Sequence, residues 1–310
     1  MWEVGRGPQD TAFYGRGDES ICAPVRIWTE LDLAREVKTN EMETTLKPQT
    51  AWSDHDTVRD ATQEQVAFYQ DQGYLKFGRI FTQGEMDTLR SHVDDMIAAL
   101  PEGKRPEAMD VPHFQDPWLF RYLTDERVLD VIEDFIGPDI VLWSSHFIAK
   151  PKGDGRAVPW HTDGAYWNKR ISPMKVITLW LAVDESSAEN GCMRVIPGSH
   201  RAFQAHIDSY QPVDGATNVF HSRIPSELIA EDSAVDLVLD VGECSFHDAW
   251  TIHGSNPNFS TRRRCGYTMR YMPADVVLHR EGWNKEHHIY LLRGEDRSDG
   301  KNDYTPVPIH

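Results

Sequence analysis

Two histidines and an aspartate, drawn from two distant stretches of the chain, could together hold a metal ion. His161 and Asp163 lie in Pro159-Trp160-His161-Thr162-Asp163-Gly164, and His253 lies in Trp250-Thr251-Ile252-His253-Gly254-Ser255. Two imidazoles and one carboxylate on one face of an octahedral ion leave the opposite positions open, the arrangement of non-haem Fe(II) oxygenases. Three arginines, Arg262, Arg263 and Arg264, follow His253 after a turn. They suit the same chemistry. A 2-oxo acid that chelates iron at one end still presents a far carboxylate, which a guanidinium grips with two parallel charge-assisted hydrogen bonds.

The His-x-acid spacing is weak by itself. With 14 histidines and 49 acidic residues among 310, about two such matches arise by chance, and the chain has four. His92-x-Asp94 falls in a helical pattern, where residues i and i+2 point apart. His206-x-Asp208 and His279-x-Glu281 sit in polar stretches with nothing around them to close a pocket. His161-x-Asp163 differs, because it ends an expected strand and turns at Gly164. An extended backbone there aims both side chains from one strand face.

Helices are expected first along the chain and strands afterwards. Thr62-x-x-Gln65 and Thr82-x-x-Glu85 have capping-box spacing, the first helix ending at Gly73. In the second, Met86, Leu89, Val93, Met96, Ile97 and Leu100 share one face. A third runs from about Thr124 to Ile136, stopped by Gly137-Pro138. Strands are expected over Ile140 to Lys150, Lys175 to Val183, Val235 to Val241 and Arg264 to Met272, with turns at Glu189-Asn190-Gly191 and Pro197-Gly198-Ser199. Such an order, without β-α alternation, points to a mainly β sandwich or barrel with flanking helices. Residues 1–56 read as an amino-terminal arm or lid with one short helix near Trp28 to Val37. Residues 57–280 read as one catalytic domain and 281–310 as an extension that covers the pocket or pairs subunits.

Composition narrows the partners. A content of 40% hydrophobic residues supports a core, and 49 acidic against 32 basic residues give a net charge of −17. That balance repels phosphate backbones and anionic membrane surfaces, which argues against nucleic acid and membranes as partners. An anionic small molecule stays open, because a few local cations outweigh a distant, screened charge. Cys22, Cys192, Cys244 and Cys265 are scattered with no C-x-x-C, as expected of reduced thiols in the cytoplasm. No signal-peptide pattern or membrane-length apolar run is present. A soluble cytoplasmic monomer or homodimer is expected.

The segment from about Val66 to Pro273 resembles the phytanoyl-CoA dioxygenase (PhyH) family of Fe(II)/2-oxoglutarate-dependent oxygenases, which includes ectoine hydroxylases. The resemblance rests on an ordered set: His161-x-Asp163, then Asn190-Gly-Cys-Met-Arg-Val-Ile-Pro-Gly-Ser-His200, then His253-Gly-Ser255 with Arg264 eleven residues after His253. It implies a double-stranded β-helix (jelly roll, cupin-like). It implies iron held by His161, Asp163 and His253, with 2-oxoglutarate and O2 as cosubstrates and the far carboxylate of 2-oxoglutarate on Arg264 and Ser255. Trp180 falls where the family places an aromatic beside 2-oxoglutarate, Thr178 shares its strand face, and His146 occupies a position that faces the cosubstrate in relatives. Arg262 shares parity with Arg264, and Arg263 should point away.

The implied outcome is hydroxylation of an unactivated C–H bond with release of succinate and carbon dioxide. Relatives that halogenate carry a small residue in place of Asp163, so its carboxylate favours hydroxylation. Desaturation, ring formation and epoxidation would start from the same oxidant. For substrate, Trp167 lies four residues after a ligand, and Lys169, Arg170 and Arg270 are candidate anion binders, Arg270 with Asp248 as an alternative partner. Trp118, Trp143, Trp160 and Trp250 are assigned to packing, His200 to its turn and His247 to a strand. Two other readings use the same three ligands. A jelly-roll protein that binds without turnover has no use for the cosubstrate arginine, and a zinc hydrolase needs a general base beside the ligands.

Overall fold

The computed structural model describes residues 57–202 and 207–308. The arm over 1–56, its helix at Trp28 to Val37, Cys22 and His206 lie outside them.

Both capping boxes form. Thr62 accepts from the Gln65 N–H while Gln65 caps Thr62, starting α1 (Gln63–Gln72), which Gly73 closes at φ 76° in the left-handed region that a side chain disfavours. Thr82 and Glu85 do the same for α2 (Gln83–Ala98), which buries Met86, Leu89 and Val93. After the short α3 (Phe120–Leu123), α4 spans Glu126–Ile136. It starts at Glu126 rather than near Thr124 because Asp125 is the residue that caps, accepting from the Arg127 N–H. A last short helix, α5, spans Asp163–Trp167.

The strands are β1 (Tyr74–Arg79), β2 (Met109–Asp110), β3 (Ile140–Lys150), β4 (Val158–His161), β5 (Ile171–Ser172), β6 (Ile177–Ala182), β7 (Met193–Val195) and β8 (Gln211–Pro212). They continue with β9 (Ser222–Arg223), β10 (Val235–Leu237), β11 (Glu243–Asp248), β12 (His253–Ser255), β13 (Arg264–Pro273), β14 (Val277–Leu278) and β15 (Tyr290–Arg293). The large sheet runs β1-β11-β6-β13-β3-β15, with β2 also on β3, and the small one runs β10-β7-β12-β4. Every pairing between these strands is antiparallel. This is the mainly β, jelly-roll architecture expected.

Strand alternation divides the large sheet into two chemistries. On β13, Cys265, Tyr267, Met269 and Tyr271 join Phe147, Leu179, Leu181 and Phe246 in the principal apolar core, into which the helices also pack. The alternate residues Arg264, Thr268 and Arg270 are buried on the other face. Gly266 belongs to that second face, and a Cβ there would lie 1.9 Å from Trp180 Cζ2. The glycine is what lets the indole lie across the strand.

Some strands are shorter than their apolar runs. Lys175 to Val183 yields Ile177–Ala182, and Val235 to Val241 yields only Val235–Leu237, because Val238 is exposed and Leu239 forms an isolated bridge to Ser186. The segment after residue 280 supplies β15, which pairs with β3. Among the described residues Cys192, Cys244 and Cys265 are free and buried, and no helix is long and apolar enough to cross a membrane.

Gly266→Ala is expected to destabilise the fold by about 1–3 kcal/mol in urea unfolding, the usual result of overfilling a packed interior. Gly84→Ala, where an added Cβ meets nothing within 4 Å, should be neutral or slightly stabilising, since alanine is the better helix former.

Candidate functional site

His161 ends β4, His253 begins β12, and the two are direct cross-strand partners. Their rings sit 4.1 Å apart between centroids. Asp163 is not on the same strand face, contrary to the expectation from its spacing: β4 stops at His161 and Asp163 opens α5. The turn delivers the carboxylate instead. Gly164 N–H donates to Ala249 O at 2.7 Å, and a Cβ on Gly164 would lie 2.7 Å from Trp250 Cε3. Only a glycine allows that closure.

All three side chains are buried, and one ligand atom from each lies within 4.8 Å of the others. The hydrogen bonds fix which atoms are offered. His161 Nδ1 contacts Pro159 O at 2.8 Å and His253 Nδ1 contacts Thr251 O at 3.0 Å. A carbonyl can only accept, so each Nδ1 carries a proton and Nε2 is the nitrogen each ring can offer a metal. Asp163 Oδ1 lies 3.6 Å from His161 Nε2. Its Oδ2 is buried without a hydrogen bond, 3.6 Å from Arg270 Nε and 3.7 Å from His247 Nε2.

Burial alone would push the Asp163 carboxyl up, but Arg270, His161 and His247 hold it well below the usual carboxylate range. Burial, reinforced by His161 and His247, keeps the His253 imidazole well below its ordinary value. A carboxylate and neutral imidazoles are the protonation states a metal requires. The set therefore fits a divalent ion with open positions, and its two nitrogens and one oxygen suit Fe(II).

Arg264 is 2% exposed and has no carboxylate partner among the described residues. Its Nε and Nη2 donate to Gly191 O at 3.0 and 2.9 Å, and Nη2 reaches Ser255 Oγ at 3.2 Å. The Asn190-Gly191 turn thus holds the guanidinium by a backbone carbonyl, with Gly191 at φ 79°. Burial lowers Arg264 to about 10. Lys150, also buried, donates to Ser255 O and Asn256 O, and burial followed by Arg264 lowers it well below its ordinary value. Neither Arg264 nor Lys150 forms an ion pair among the described residues, the carboxylate that acts on both being Glu107 at longer range, so an anion beside Arg264 would offset an interior charge that is costly alone. The Trp180 ring lies 5.4 Å from Arg264 Cζ. A cavity of about 30 Å³ joins these groups, lined by His161, Asp163, His253, Trp180, Ser255 and Arg264.

A larger cavity of about 500 Å³ also reaches Asp163 and Arg270, with walls that include Trp143, Tyr166, Trp167 and Phe220. Arg170 lines it as well; Lys169 is exposed and does not. His146 lines this larger cavity rather than the smaller one, held by Glu107 O at 3.2 Å and 3.5 Å from Asp110. Thr178 lies beneath, buried, in register between His247 and Arg270. The acid beside Arg270 is Asp163, not Asp248, which lines a separate cavity with Tyr69 and Arg297. Arg262 pairs outside with Glu185 and Glu189, and Arg263 points away to Asp184 and Asp94. His92 stacks on Trp118, His279 meets Ser172, and His200 contacts Gln70 O. Sequence reasoning missed two residues. His247 read only as a strand residue and Lys150 as a strand end, and cross-strand register is what brings each to the site.

A double-stranded β-helix with a buried two-histidine, one-carboxylate set beside an unpaired buried arginine defines a mononuclear non-haem metal oxygenase. Residues 69–266 match the model of the family described as Phytanoyl-CoA dioxygenase (PhyH). The chain belongs to that family, and it is a 2-oxoglutarate-dependent dioxygenase. It is 28% identical over 236 residues to the peroxisomal phytanoyl-CoA dioxygenase of Homo sapiens, covering 69% of each chain. It is 25% identical over 235 residues to the ectoine dioxygenase of Bordetella parapertussis, covering 69% of this chain and 76% of the relative. Among solved structures, the non-haem monooxygenase ThoJ aligns with TM-score 0.63 and 23% identity over 79% of this chain and 87% of ThoJ. EctD from S. alaskensis with bound Fe aligns at 0.61 and 21% identity, covering 85% and 92%. At these identities the structural likeness speaks for the fold.

Ni(II) at a hundred times its dissociation constant is expected to stabilise the protein by about 2.7 kcal/mol, read as a rise in melting temperature. His253→Ala should remove that rise; a full rise in the variant would show that the ion binds elsewhere.

Proposed function

We propose that this dioxygenase hydroxylates an unactivated C–H bond of a small or medium-sized anionic metabolite, releasing succinate and carbon dioxide. The observation that carries the reading is Arg264, a buried cation without an acid partner among the described residues, which lines one small cavity with the three candidate metal ligands. His161 Nε2, His253 Nε2 and one oxygen of Asp163 would hold Fe(II), and Arg264 with Ser255 Oγ would take the far carboxylate of 2-oxoglutarate. Bound Fe(II), 2-oxoglutarate and dioxygen would supply the oxidising power, one oxygen atom passing to substrate and the other to succinate. The chain supplies the rest by positioning and by excluding water.

Trp180 closes the cosubstrate side, while Trp167, Tyr166 and Phe220 wall the larger cavity where substrate would lie. Arg270 supports an anionic substrate. It is buried, it faces the larger cavity, and the carboxylate nearest it is one the metal would share. Arg170 at the same cavity adds positive potential, and Lys169 is left to solvent. A zinc hydrolase or a protein that binds without turnover leaves Arg264 without a function.

Arg264→Ala should bind metal as the wild type does but need roughly 30–150-fold more 2-oxoglutarate for half-saturation. That rise corresponds to about 2–3 kcal/mol for lost charge-assisted hydrogen bonds, and anaerobic titration of the visible absorption of the Fe(II)·2-oxoglutarate complex reads it. An unchanged requirement would remove Arg264 from the cosubstrate site. For substrate, succinate release should be screened with pairs of compounds, each a carboxylate or phosphate ester matched to its neutral amide or alcohol. Stimulation is expected from anionic members alone, and equal stimulation by the neutral partners would overturn the anionic reading.

A further inference from the structure

The inner face of the large sheet carries a polar rung. Thr178 on β6 is the direct cross-strand partner of both His247 on β11 and Arg270 on β13. Ser144 on β3 continues the row as the partner of Arg270. His247, Thr178 and Arg270 are all more than nine-tenths buried. Each has a polar atom without a hydrogen bond: both ring nitrogens of His247, Oγ1 of Thr178 and Nε of Arg270. Buried polar atoms are nearly always paired, so such a cluster calls for a reason. His247 is the extreme member, an imidazole 1% exposed with no hydrogen-bond partner for either nitrogen among the described residues.

The group it meets is Asp163. Oδ2 of that carboxylate, itself unbonded, lies 3.7 Å from His247 Nε2 and 3.6 Å from Arg270 Nε, while Oδ1 lies on the side of His161. We propose that His247 is a positioning residue for the metal carboxylate: its Nε2–H holds Oδ2 of Asp163, alongside Arg270, and leaves Oδ1 for the metal. The present separation exceeds a hydrogen bond, and a closing movement of about 0.8 Å would make one. The consequence is coordinative. A carboxylate free to turn can place both oxygens on an ion and occupy a position that a two-histidine, one-carboxylate oxygenase must keep open for its reactants. Tying Oδ2 to the protein prevents that. Groups bonded behind metal ligands typically alter affinity by about 10–100-fold when removed.

The proposal rests on the metal reading above, so the test separates the two. Ni(II) affinity is measured by anaerobic calorimetry for wild type, His247→Phe and His247→Gln, with melting temperature as a check on folding. His247→Phe keeps a flat ring of similar volume and should lose roughly 10–100-fold in affinity. His247→Gln keeps an N–H donor and should recover most of it. Wild-type affinity in His247→Phe, or an equal loss in both variants, would show that the imidazole only fills space. No Ni(II) binding by wild type would sink the metal reading itself. Should the variants fail to fold, nitrogen NMR of histidine-labelled wild type with Zn(II) still decides the matter. A proton on His247 Nε2 is required, and a proton on Nδ1 alone overturns the proposal.

Discussion

The structure is organised around one buried carboxylate. Asp163 lies in an interior where burial by itself favours the neutral acid, and it stays ionised because Arg270, His161 and His247 surround it. A charge of that kind tolerates little freedom, since a small displacement leaves it either unpaired or protonated. The nearby backbone is correspondingly tight. Gly164 closes the turn against Trp250, and Thr162 N–H donates to the Tyr210 hydroxyl at 2.8 Å. The neighbours that hold Asp163 ionised come from three strands, β4, β11 and β13, so only the assembled fold holds the anion.

That assembly depends on β13 and its neighbours having two unlike faces. One face gives Cys265, Tyr267, Met269 and Tyr271 to the apolar core that the helices cover. The other gives Arg264, Thr268 and Arg270 to the site, beside a smaller apolar cluster that includes Trp180, Ala182, Met193 and Val195. The larger apolar cluster lies on the helix side, where α2 and α4 bury Met86, Leu89, Val93, Val128, Leu129, Val131 and Ile132. A one-residue slip of register would drive the arginines into that core and the tyrosines into the site. The alternation that places chemistry on one face also makes the register unambiguous.

How much of this could be read from the chain follows from which signals are local. The capping boxes at Thr62 and Thr82, the glycine stops and the apolar alternation of β3 and β13 are written within a few residues of where they act, and they appear where expected. The grouping of His161, Asp163 and His253, with Arg264 and Ser255 beside them, was legible from ordered motifs. The route by which Asp163 arrives was not, because a strand end and a helical turn look alike in Thr162-Asp163-Gly164. His247 and Lys150 were hidden for another reason. Nothing in Phe246-His247-Asp248 or Ala149-Lys150-Pro151 marks a buried polar side chain; their significance appears only when β11 lies beside β6 and Ser255 lies over β3. That the acid beside Arg270 is Asp163, and not Asp248, the alternative the sequence offered, was hidden on the same ground, since the two differ in fold position rather than in sequence character.

Arg264 and Arg270 stand six residues apart on one face of β13, about 20 Å of strand, with Asp163 beside the second and Ser255 and Trp180 beside the first. The cosubstrate side is built from short, tightly constrained pieces: the Gly191 turn, β12 and the glycine at 266 that admits Trp180. The substrate side is built differently, from α5, the segment around Asp110 to Phe114, the loop at Val219 and Phe220, and the stretch near His287. These pieces meet the metal site at Asp163, Arg270 and Phe220, which line both cavities, the Phe220 ring lying 4.8 Å from His161. Changes in the outer walls away from Phe220 can therefore reshape the larger cavity and leave Arg264 in place, whereas a change on the inner side reaches both Arg264 and the packing of Trp180. A fold divided this way can keep one oxidising chemistry while its substrates diverge, which is why the family fixes the reaction and the walls of the larger cavity must be read for the molecule it acts on.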